Sequence, residues 1–175
     1  MILTKRKYWF VTLLSVVLVV MIIGVIPVTG TTLRKLDVTS LSQMAASVVE
    51  GYVIETRCAW NPKHTQIYTY VTFDVTDVYA GKATLGRMEF RLLGGAVDDT
   101  AMIIQGAPGF TGGEHLVLFL YNNPALYIPV VGLYQGKLSF SVDPKTGLEV
   151  VGNPQVGFFD KQELRSLVVR ARERR

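Results

Sequence analysis

Cysteine is almost missing from this chain: Cys58 is the single thiol among 175 residues. One thiol excludes an internal disulfide framework. Histidine is nearly as scarce, with only His64 and His115. Neither stands at zinc-ligand spacing from Cys58 or from a carboxylate partner, and His-Glu-x-x-His does not occur, so no metal site is read and no cofactor is expected. Gly-x-Ser-x-Gly is absent as well. The glycine-rich stretch from Gly106 to Gly113 matches neither phosphate-binding fingerprint, and it precedes a strand rather than a helix. Asp98 and Asp99 are adjacent carboxylates that read as a solvated loop. The chain therefore leans away from catalysis. Two residual pairs carry what chemistry is left. Cys58 and His64 lie six residues apart across a loop, and Glu114 and His115 are neighbours that a strand would point to opposite faces.

A broad basic surface is also lacking where the fold should be. The net charge of +4 is unevenly spread: residues 1–30 carry +3, residues 161–175 carry +4, and residues 31–160 carry −3. A mildly acidic body excludes nucleic acid as an expected partner.

What is present begins with a leader. Lys5, Arg6 and Lys7 precede an uncharged stretch over 8–28 that is almost wholly apolar from Trp9 to Ile23. This pattern reads either as a signal peptide or as a signal-anchor transmembrane helix. Pro27 and the short residues Val28-Thr29-Gly30 favour cleavage, while the length of the stretch favours retention. Both place the body outside the cytoplasm, secreted or periplasmic in one case and membrane-anchored through residues 8–28 in the other. The expected organisation is a leader over 1–30, a joint over 31–37, a β-domain over 38–159 and a basic amphipathic helix over 160–175.

Within the body, Leu41, Met44, Ala45 and Val48 recur at helical spacing behind a capping box at Ser40. A strand follows over 48–56, with Gly51 marking a bulge or close approach. Arg57 to Thr65 reads as a polar loop. Gln66 to Tyr79 alternates as one long strand, with Ile67, Val71, Phe73 and Val75 inward and Tyr68, Tyr70, Thr72 and Asp74 outward. Further strands are expected over 87–93, 101–105, 116–121, 127–134 (demoted by Pro129), 136–142 and 148–151. The unbroken apolar run Leu116 to Tyr121 reads as a central strand buried on both faces. Asp160 caps the last helix, with Glu163 in the capping box and Phe159 and Leu164 as a hydrophobic staple.

These elements predict a mainly β fold, a small antiparallel OB-like barrel, with a β-sandwich as the alternative. Such barrels bind through exposed aromatic rows, and Trp60, Tyr68 and Tyr70 are the candidate binding face. Cross-strand pairing that merely stabilises the sheet is the competing reading.

Several stretches together, Val48-Val49-Glu50-Gly51-Tyr52-Val53, Thr69 to Val75, Gly94-Gly95, Gly106-Ala107-Pro108-Gly109-Phe110, Gly113 to Leu120 and Val131 to Lys137, resemble an uncharacterised β-domain of exported bacterial proteins that is sometimes found beside metalloproteases. The order of elements also looks like the OB-type barrel of tissue inhibitors of metalloproteinases. The resemblance implies a barrel outside the cytoplasm. It does not carry inhibition, because that family uses an N-terminal cysteine and several disulfides that this chain lacks. The expected function is a non-catalytic binding or interaction module whose partner is a protein or an envelope polymer. The alternatives are a subunit of a membrane-associated assembly and a Cys/His-dependent enzyme.

Overall fold

A computed structural model describes residues 34–123 and 125–174 of the chain. The basic and apolar leader expected over 1–30 lies outside the described residues. Among the described residues no helix is long and apolar enough to cross a membrane. From Lys35 onward the chain forms one unit.

Helix α1 is Val38–Met44. Its cap is Asp37, whose side chain accepts from Ser40 N at 2.7 Å, so the helix begins one turn before the expected box at Ser40. An aspartate cap satisfies the free N–H three residues on as well as a serine does. The strands are β1 (Ser47–Trp60), β2 (Ile67–Ala80), β3 (Gly86–Leu93), β4 (Gly95–Val97), β5 (Thr100–Met102), β6 (His115–Leu120), β7 (Lys137–Val142), β8 (Glu149–Asn153) and β9 (Gly157–Phe159). Helix α2 is Lys161–Glu173, capped as expected by Asp160, which accepts from Gln162 N and Glu163 N. Half of the stretch read as a polar loop, Arg57 to Trp60, is strand, because each of its residues pairs with a residue of Ile67 to Tyr70.

Seven strands form one antiparallel sheet in the order β3-β2-β1-β6-β7-β8-β9, and β4 and β5 form a separate hairpin. The fold is mainly β as expected, but the described residues form no closed barrel, and there is no second large sheet to make a sandwich. The reason lies in the segment expected as a strand over 127–134. It does approach β6: Leu120 bridges Val130, Tyr121 N donates to Pro129 O at 2.8 Å, and Val131 N donates to Phe119 O at 2.9 Å. Pro129 has no N–H to return, and Gly132 (φ 63) turns the chain into a 3-10 turn at Leu133–Gly136. Toward β3 the segment offers a single bond, Leu93 N to Tyr127 O at 2.7 Å. The ladder that would close the sheet on itself is thus reduced to one link.

Two apolar cores lie on opposite faces of β6. Val117 and Phe119 meet Val48, Leu138, Val151 and the helices through Leu41, Leu164 and Val168. Leu116, Leu118 and Leu120 meet Val49, Val53, Val71, Phe73, Leu92 and Val130. This is the strand buried on both faces that the run Leu116 to Tyr121 predicts. At Gly51, a Cβ would stand 2.0 Å from the Asp74 carbonyl oxygen, and the register slips beside it. The glycine therefore lets β1 press against β2 at a bulge, as its place in the strand predicts.

Candidate functional site

The residues picked out for binding sit at the far end of the β1–β2 hairpin, and the register separates them. Ala59 pairs with Tyr68 and Arg57 with Tyr70, whereas Trp60 pairs with Ile67. Directly paired residues share a face and successive ones alternate, so Trp60 lies on the face opposite the two tyrosines. The expected single aromatic row is not formed. Tyr68 is only 8% exposed, under the Arg91 guanidinium at 4.8 Å, and its hydroxyl donates to Gln66 Oε1. Tyr70 is half-buried with the Arg57 guanidinium 4.1 Å above its ring. Trp60 stacks on His64 with centroids 5.8 Å apart.

Cys58 is exposed, and its Sγ lies 3.5 Å from Thr69 Oγ1. His64 faces Trp60 instead, so the structure does not join thiol and imidazole. No group of three metal-ligating side chains gathers among the described residues. Glu114 receives Lys137 Nζ at 2.9 Å on both oxygens and the Thr111 N–H at 3.0 Å. Lys137 Nζ also donates to Gly109 O. Glu114 thereby ties the glycine-rich turn to β7.

His115 leads to a cluster that sequence reasoning missed. Its Nε2 donates to Glu50 Oε1 at 3.0 Å, and its ring is sandwiched between Tyr52 (4.3 Å) and Phe140 (3.8 Å). Glu50 is 3% exposed; it also accepts from Lys161 Nζ at 2.8 Å and from Tyr79 Oη at 2.6 Å. One turn further along α2, Arg165 forms an ion pair with Asp77 and lies over the Tyr79 ring. Burial alone pushes the Glu50 carboxyl up. The hydrogen bonds from Lys161 and Tyr79, the Lys161 charge and the His115 bond outweigh it and hold the carboxyl below its ordinary value of 4.5. Burial and the bond to Glu50 push the Tyr79 phenol far above its ordinary value. At neutral pH the carboxylate is thus firmly ionised and the phenol firmly protonated, with their lone pair and proton spent on each other. That is a brace for α2 rather than an acid–base pair, which needs a group poised near the working pH. The signal was available: a charged residue between Val49 and Gly51 in an apolar strand requires a buried partner.

The opening in the sheet is the remaining feature. Gly94 N donates to Ile67 O and Leu93 N to Tyr127 O. Antiparallel alternation then points the backbone groups of Met88, Phe90 and Leu92 toward β2 and those of Arg87, Glu89 and Arg91 away from it. A groove of about 510 Å³ runs beside this unpaired edge. Tyr70, Met88 and Phe90 line it from the sheet, and Tyr121, Leu126 and Pro129 from the segment that follows β6. A second hollow of about 490 Å³ adjoins it, sharing Met88, Tyr121 and Asn122 and reaching Lys82 and Arg172.

Comparison with protein-family models, with curated proteins and with solved structures gave no match.

Proposed function

We propose that the body is a non-catalytic binding module working outside the cytoplasm, with a protein or an envelope polymer as its partner. The observation that carries this reading is the unpaired β3 edge opening onto a groove that includes Tyr70. The ionisable groups argue the same way. Glu50, Tyr79, His115 and Lys161 are consumed in holding α2, and Cys58 has a hydroxyl rather than a base beside it. The leader Lys5 to Val28 supports export.

A photo-crosslinking side chain placed at Tyr70 in the full chain, in its native envelope, tests this. Discrete adducts should form there and not from the exposed control position Leu148. Equal labelling at both, or none at Tyr70, defeats the reading. The uncharged stretch over 8–28 favours a second reading, in which the body is the exposed part of a membrane-bound assembly. Mass spectrometry of the mature N-terminus decides between them, since a start at Thr31 removes the anchor.

A further inference from the structure

We infer that the groove beside β3 takes an extended acidic peptide as an added strand, an inference that rests on the binding-module reading above. Three observations converge. The first is hydrogen bonding: Arg87, Glu89 and Arg91 present their N–H and C=O groups outward, and among the described residues β3 has one outward backbone bond, at Leu93. Unpaired strand edges are templates for another chain, and main-chain bonding to them is sequence-tolerant.

The second is size. An extended residue in a sheet occupies about 160 Å³, from about 4.8 Å between strands, about 3.4 Å rise and about 10 Å of thickness. The groove and the hollow adjoining it, about 510 and 490 Å³, each hold about three such residues. Tyr121 and Leu126 line the same groove as Met88 and Phe90, a volume of the size a short lone strand fills.

The third is charge. Arg87 has no ion-pair partner among the described residues, and Arg91 keeps its charge exposed above Tyr68. Lys82 and Arg172 border the adjoining hollow, although Arg172 also donates to Ala46 O. The single carboxylate of the edge, Glu89, is already 3.7 Å from Arg57. A strand laid here meets arginines on its outer face and Met88 and Phe90 on its inner face. Alternating acidic and apolar side chains match that pattern at Arg87 and Arg91, where opposite charges stand directly across the ladder, while Glu89 between them is turned to Arg57.

Fluorescence anisotropy of the full chain with labelled hexapeptides tests the inference. The probes are Val-Asp-Val-Asp-Val-Asp, its lysine counterpart, and two forms of the acidic peptide, each N-methylated on one alternate set of residues. The acidic peptide should bind at least tenfold more tightly than the lysine peptide. One N-methylated form should lose at least tenfold and the other little, because only one set of N–H groups faces β3. Glu89→Pro, which removes an outward N–H, should weaken the acidic peptide, and Arg87→Glu with Arg91→Glu should reverse the charge preference. Melting curves verify that these exposed substitutions leave the fold intact.

Equal binding of both charges, or equal binding of both methylated forms, overturns the inference. So does self-association that Glu89→Pro abolishes, which would make a second copy the occupant. If no hexapeptide binds while the Tyr70 crosslinker still labels a partner, strand addition fails and the binding-module reading stands. If both fail, both fall.

Discussion

Glu50 is the residue on which most of the polar interior depends. Replacing it with glutamine keeps the shape and the acceptor for Tyr79 but strips the charge that faces Lys161 and His115. Breaking a buried pair from one side costs about 3 kcal/mol, and Glu50→Gln should lower stability in urea unfolding by about that much or somewhat less. Its pH dependence follows from direction. The folded carboxyl titrates below its ordinary 4.5, so its contribution is complete above that value and is lost as pH falls through the folded pKa. The acid limb of the stability profile should therefore flatten in Glu50→Gln relative to the parent. A smaller residue makes an equally sharp case. Gly51→Ala would put a methyl 2.0 Å from a backbone oxygen of β2, and overpacking of this kind costs about 1–3 kcal/mol or more. A fall of the thermal midpoint by several degrees would be the sign of it.

At the scale of elements, α2 shows which contacts matter. Its ion pair Arg165–Asp77 is about one-third exposed at both ends, and such pairs contribute about 0–1 kcal/mol. Leu164 is fully buried in the core that includes Val117 and Phe119, and truncating such a residue costs about 2–5 kcal/mol. Denaturant titration should thus separate Arg165→Ala from Leu164→Ala by more than 1 kcal/mol in favour of the former. The same helix was legible in advance, because Asp160, Glu163, Phe159 and Leu164 are local signals acting within one turn. Strands β2, β3 and β6 were legible from alternation or from an unbroken apolar run. The short β4 and β9 were not, since three residues carry no period. Nor was the separation of Trp60 from Tyr68 and Tyr70, which depends on a cross-strand register that no single stretch encodes. The Glu50 cluster draws its members from β1, β2, β6 and α2, so its geometry had to wait for the fold even though its charge was conspicuous.

For the molecule as a whole, the sheet has one deeply buried strand and one open flank. Amide exchange should report both. The N–H groups of Leu116 to Leu120 should be the slowest, exchanging only in global unfolding. Along β3 the rates should alternate, fast at Arg87, Glu89 and Arg91 and slower at Met88, Phe90 and Leu92. Uniform rates along β3 would mean that its outer edge is covered. The expectation of a closed barrel failed for a reason of the same scale. Closure needs a continuous ladder between β6 and β3, and the one connecting segment, which bonds β6 around a proline and then turns away at a left-handed glycine, offers β3 a single bond.

The central place of β6 also sets an order of events. β1, β2 and β3 are neighbours in sequence and can zip together as hairpins while the rest of the chain is still emerging. The other edge of β1 must wait, because its partners run from Leu120 at Ser47 to His115 at Tyr52. Non-local pairing of this kind is slow. Until β6 arrives, the strand around Val48, Val49 and Val53 presents an apolar, unpaired edge, and a chain delayed at that stage is the form a holding chaperone would grip.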